Sequence, residues 1–162
     1  MLMEKKAKYA HFGLKGLNKR FKLAALSGDL NQIRYFLLVE KLDIHYQNDF
    51  VFRMACKKGY LEVIKYLLTS EELTEHSDIH ANNELGLRKA CEFGHLEIIQ
   101  YLTISSDLKE RADVDCVDNL LMKTVKYKKY QEVENFLLYF QLNKKLPPKL
   151  SNNLLSSHTF KI

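Results

Sequence analysis

Long apolar runs are missing from this chain. No stretch approaches the roughly 20 consecutive apolar residues of a membrane span, and the start, MLMEKKAKYAHFGLKGLNKRF, carries lysines without the apolar core of a signal peptide. A cytoplasmic protein with no membrane partner is expected. Cysteine is scarce too. Cys56, Cys91 and Cys116 cannot all pair, and Cys56 and Cys91 each follow an alanine, which suits a small buried apolar role better than metal or redox chemistry. Proline occurs only as Pro147-Pro148, where any helix must stop. Glycine-rich phosphate cradles are absent: GLKGL, at Gly13 to Leu17, has neither the spacing nor the following lysine and hydroxyl residue of a P-loop. DVDCVD, at Asp113 to Asp118, lacks the central glycine and closing glutamate of a calcium loop. No nucleophile, base and orienting group stand together, so no enzymatic activity, cofactor or metal is expected.

What the chain does have is repetition. With 46% apolar and 28% charged residues it can fold as one modest unit. ACKKGYLEVIKYLL, from Ala55, and ACEFGHLEIIQYL, from Ala90, are nearly the same phrase, with Gly59 and Gly94 35 residues apart. LAALSGDLNQIRYFLL, from Leu23, places Gly28 in the same slot, and TVKYKKYQEVENFLL, from Thr124, places Lys129 there. A second phrase precedes the later units: DIHYQNDFVFRMAC from Asp43, DIHANNELGLRKAC from Asp78 and the degenerate DVDCVDNLLMKTV from Asp113. A period of this size marks stacked supersecondary units.

Each half of the unit reads as a helix. Phe52, Ala55 and Cys56 fall at i, i+3 and i+4, with Asn48 or Asp49 as candidate N-cap. Glycine closes this helix, since a left-handed residue there costs it no clash. Leu61, Ile64, Leu67 and Leu68 then form an apolar stripe interrupted by Glu62 and Lys65, a helix packed on one side. No pair buries its stripe alone, so neighbours must stack into a one-dimensional array.

GHLEIIQYL, with DIHANN before it, resembles the ankyrin repeat, in which a finger precedes a helix pair and Gly-His-Leu-Glu opens the second helix. The resemblance covers about 21–140, and is nearest to a short-fingered, arginine-containing version found in giant viruses, phages and some bacteria. It implies an all-α solenoid of about four stacked helix-turn-helix repeats, at about 21–49, 50–84, 85–118 and 119–140. Residues 1–20 would be an N-terminal capping segment, and 141–162 a C-terminal cap or tail, with Leu150, Leu154, Leu155 and Phe160 either folding back on the last unit or staying mobile. It also makes His95 a packing residue, and His45 and His80 structural ones. The implied function is non-enzymatic protein–protein interaction, directed at a host factor if the chain is viral or pathogen-derived.

Departures from the family pattern are informative. The Thr-Pro-Leu-His opening of the first helix is replaced by FVFR, LGLR and LLMK, and a base stands in every unit: Lys22, Arg53, Arg88 and Lys123. Asp49 and Glu84 lie four residues before the arginines, which predicts a ladder of i, i+4 ion pairs, the alternative being a basic ligand-binding stripe. The finger is trimmed, and TSEELTEHS and SSDLKERA lengthen the chain after the second helix, enough for one added helical turn. Gln32, Gln131 and Glu134 replace apolar residues in the end units, as caps require.

In the ankyrin family, the end of the first helix and the finger line the concave face. By resemblance, the partner-binding positions are Lys57, Lys58, Glu92, Phe93, Tyr127 and Lys128, joined by Leu26 and Ser27 and, in a finger, by Tyr46 and Gln47. Their types differ from unit to unit while the neighbouring core repeats. Phe93 and Tyr127 are candidate aromatic anchors and the lysines would steer an acidic protein partner; the competing reading packs Phe93 against the next unit. KTVKYKKY, Lys123 to Tyr130, interleaves bases and aromatics, so a basic nucleic-acid-associated adaptor is the alternative function.

Overall fold

The computed structural model describes residues 13–144, and the described chain is helical without a strand. Eight α-helices follow in order: α1 (Leu14–Ser27), α2 (Leu30–Leu38), α3 (Tyr46–Lys58), α4 (Leu61–Thr69), α5 (Ala81–Phe93), α6 (Leu96–Ile104), α7 (Asn119–Tyr127) and α8 (Gln131–Lys144). The expected C-terminal fold-back through Leu150 and Phe160 falls outside the described residues. α1 runs through position 20 without a break. Each odd helix pairs with the even helix after it, and α1, α3, α5 and α7 pack on one another in turn. A core from Phe21 through Phe36, Phe52, Ile64, Leu87, Ile99 and Val125 to Phe136 runs the length of the stack. The expected helical solenoid is what forms.

Helix ends explain the period. Gly28, Gly59 and Gly94 close α1, α3 and α5 in the left-handed region, at φ 69°, 85° and 76°. Lys129 fills the fourth slot at φ 60°, where its Cβ costs what glycine avoids. The glycines have a second role, because an aromatic ring from the next repeat lies on each. A Cβ on Gly28 would come 2.8 Å from the Tyr60 ring, one on Gly59 2.9 Å from His95, and one on Gly94 2.9 Å from Tyr130. Gly86 serves closeness alone: without a positive φ of its own, it sits where a Cβ would meet Phe52 Cε1 at 2.7 Å. Cys56 and Cys91 are fully buried, and burial pushes both thiols well above their ordinary range.

Three local expectations need correction. Neither Asn48 nor Asp49 caps α3. Gln47, Asn48 and Asp49 instead form a left-handed turn, repeated at Asn82, Asn83 and Glu84. That turn also breaks the expected ion-pair ladder, since an i, i+4 pair needs both members on one right-handed helix and Asp49 and Glu84 are themselves left-handed. Asp49 and Glu84 swing inward, 3% and 7% exposed, leaving the arginines other partners. Arg53 donates to the backbone oxygens of Asn48 and Gln47 at 2.6 and 2.7 Å. Arg88 reaches Cys116 O at 3.3 Å and Asp118 at 3.5 Å. Finally, the lengthened segments add no helical turn. Ser70 and Ser105 are extended, their hydroxyls accept from the N–H of Glu72 and Asp107, and the chain returns to donate Ser77 N–H to Leu67 O and Ala112 N–H to Leu102 O.

Substitution of Gly59 by valine is expected to lower the unfolding free energy by about 1–2 kcal/mol or more. Lys129→Gly is expected to raise it by up to about 1 kcal/mol. Denaturant midpoints measure both; an unchanged midpoint in Gly59→Val refutes the first.

Candidate functional site

The ends of the odd helices share one face, held together by a recurring hydrogen bond. The carbonyl two residues before each closing glycine accepts a donor from the following repeat. Tyr60 Oη donates to Leu26 O (3.2 Å), His95 Nε2 meets Lys57 O (3.0 Å), and Lys128 Nζ donates to Glu92 O (2.8 Å). These bonds satisfy carbonyls that a helix end leaves without intrahelical partners. His95 is thus a packing residue, as its place in the repeat implied.

Four of the sequence-selected residues meet on this face. The Phe93 ring, 36% exposed, has Lys57 Nζ 5.3 Å from its centroid and Lys128 Nζ 4.8 Å from it, one ammonium from the repeat before and one from the repeat after. Phe93 therefore meets its neighbours and still keeps an accessible edge. Beside it, the Lys89 ammonium, 2.6 Å from Glu92 Oε2, holds that carboxyl below the usual carboxylate range, with Lys128 and Lys57 adding to the effect. Tyr127 is 88% exposed and Lys58 is exposed on the same helix ends. Tyr46 and Gln47 have different surroundings. Tyr46 lies under Lys22 Nζ at 5.3 Å, while Gln47 sits in the left-handed turn with its carbonyl held by Arg53. Sequence reasoning missed Lys89 and the Lys22–Tyr46 contact; the i, i+3 spacing of Lys89 and Glu92 was the available signal for the first.

The link histidines are structural pairs. His45 Nδ1 lies 3.2 Å from Asp49 Oδ1, and that oxygen also accepts Asp78 N–H from the next link at 3.0 Å. His80 Nδ1 bonds Glu84, and its Nε2 faces Glu110 at 3.7 Å. The hydrogen bond to Glu84 raises the His80 pKa above its ordinary value, with Glu84, Asp78 and Glu110 adding coulombic support. Cys116 is pushed up to about 12, mainly by burial, and so stays a thiol. Among the described residues no three His, Cys, Asp or Glu side chains converge in a group that could hold a metal ion, and no helix is long and apolar enough to cross a membrane.

The helix pairs, their glycine closures and the ring stacking agree with one comparison. The family description "Ankyrin repeats (3 copies)" matches residues 21–118. The chain belongs to the ankyrin-repeat family. No curated protein matches it, and no solved structure does. Ankyrin repeats are in general non-enzymatic modules of protein–protein interaction. In this ankyrin-repeat protein the match stops at Asp118, and α7 and α8 continue the stack beyond it with Lys129 in place of the glycine.

Because the folded pKa of His80 is raised, its stabilisation is complete below the ordinary value of about 6.5 and disappears as pH climbs through the folded value. The stability advantage of the parent chain over His80→Gln is therefore expected to shrink between pH 6 and pH 8. Chemical denaturation of both proteins across that range checks it; a constant difference refutes the pairing.

Proposed function

We infer that the chain holds a partner protein on its concave ankyrin face, at the surface built from Lys57, Lys58, Glu92, Phe93, Tyr127 and Lys128. The supporting observation is the accessible pair of aromatics. Phe93 and Tyr127 lie on helix ends where the residue pair before the closing slot reads Leu-Ser, Lys-Lys, Glu-Phe and Tyr-Lys from repeat to repeat, while the core beside it recurs. Packing would repeat these residues if it chose them. Exposed aromatics surrounded by charge are the usual anchors of an interface, and the net charge of +5 favours an acidic partner. Tyr46 and Gln47 would extend the surface into the link. A role against a host factor, implied by the viral resemblance, rests on the partner's identity.

A second reading keeps one observation of its own. Lys123, Lys126, Tyr127, Lys128 and Lys129 are all exposed at the last repeat, a basic and aromatic strip that a nucleic acid could contact. Retention of nucleic acid that collapses steeply with salt distinguishes it.

The test uses the full chain as bait in a lysate of its native cells, with captured proteins identified by mass spectrometry. Phe93→Ala and Tyr127→Ala, each confirmed as folded, are expected to weaken binding of the purified partner. A loss of at least about tenfold, roughly 1.4 kcal/mol, in one of them is expected. Retention of full affinity by both refutes the concave-face reading.

A further inference from the structure

The Phe93 patch carries a charge pattern as well as an apolar edge, and the pattern selects among acidic partners. Lys57 Nζ and Lys128 Nζ approach the same ring at 5.3 and 4.8 Å. They are thus at most about 10 Å apart, the sum of those distances. Both are already placed. Lys128 is fixed by its bond to Glu92 O and by the ring, and an ammonium has three donors, so two remain for a ligand. Lysines ordered beforehand lose less rotamer freedom on binding, which is a gain in affinity without any new contact.

Glu92 opposes them. Its ionised carboxylate stands within the electrostatic reach of Lys89, Lys128 and Lys57, so part of the positive field is cancelled at the centre of the patch. A continuous polyanion passing over Phe93 would meet this carboxylate, and the ring that might stack a base already has two ammonium groups at 5.3 and 4.8 Å from its centroid. Separate carboxylates on an extended segment fit better. Alternate residues of a strand point the same way about 7 Å apart, a spacing from which two glutamate side chains on one face of the segment reach both lysines.

We propose that this face takes an extended acidic peptide segment with carboxylates at alternate positions, gripped by Lys57 and Lys128 across Phe93, and that Glu92 is the specificity-determining residue that sets how much negative charge is accepted. The proposal rests on the concave-face reading and narrows it.

The experiment measures fluorescence anisotropy of a labelled peptide, Gly-Glu-Val-Glu-Val-Glu-Gly, with the full-length chain at low and moderate salt. The same peptide with glutamine for glutamate is the neutral control. The acidic peptide is expected to bind and the neutral one not to. Lys57→Gln and Lys128→Gln are each expected to weaken binding at least about threefold, and Glu92→Gln to strengthen it by a similar factor. A gain of affinity cannot come from misfolding, so the Glu92 arm holds even where a lysine variant is destabilised. Equal binding of the neutral peptide, or unchanged or weaker binding by Glu92→Gln, overturns the proposal. So does an oligonucleotide of equal charge that displaces the peptide and itself gains nothing from Glu92→Gln. A captured partner that is lost with Phe93→Ala but kept by both lysine variants overturns this proposal alone and leaves the concave face in place.

Discussion

A ring from one repeat lying on the left-handed glycine of the repeat before is the contact from which the rest of the stack follows. It ties two requirements to one residue. The first helix of a repeat must stop and reverse, which a positive φ accomplishes, and the next repeat must come close enough to seat Tyr60, His95 or Tyr130 on that turn. Only glycine meets both, since any Cβ would be strained by the backbone and would enter the ring. The donors that accompany the rings bind the exposed helix-end carbonyls, so turn, spacing and hydrogen bonding recur together.

The same registration gives the two faces different tasks. On the link side, α3 and α5 begin with a left-handed turn whose acid, Asp49 or Glu84, points inward to a histidine. Asp49 also receives the backbone of the following link, so the carboxylate joins successive repeats. On the helix-end side the backbone is satisfied by the neighbouring repeat, and the side chains there are released from packing. Variation from Lys57 to Glu92 to Tyr127 is tolerated for that reason.

Much of this was legible in the residues. The slot shared by Gly28, Gly59 and Gly94 announces its conformation, because no other residue occupies a left-handed helix end without cost, and Lys129 marks the one repeat that bears it. Cys56 and Cys91 declare their burial by standing beside alanine on the apolar stripe. The Asp49–Arg53 and Glu84–Arg88 spacings misled, since i, i+4 proximity assumes that both members sit on one right-handed helix, and each acid is instead the last of three left-handed residues. Asparagine at positions 48 and 82–83 tolerates that conformation, but nothing local reveals that three such residues follow in a row.

The sequence by itself determined the repeat, its period, the helix pairs and the place of each turn, because these depend on spacing along the chain and on the intrinsic limits of glycine and apolar stripes. Only the tertiary structure decided where the charges went. Which oxygen accepts Arg53 depends on the left-handed turn before it, and the oxygen that holds Lys128 and the ring shared by Lys57 and Lys128 lie a whole repeat away in the chain, 36 positions for Lys128 and Glu92. Long flexible side chains choose among several nearby partners, and that choice depends on where neighbouring repeats place their carbonyls and rings.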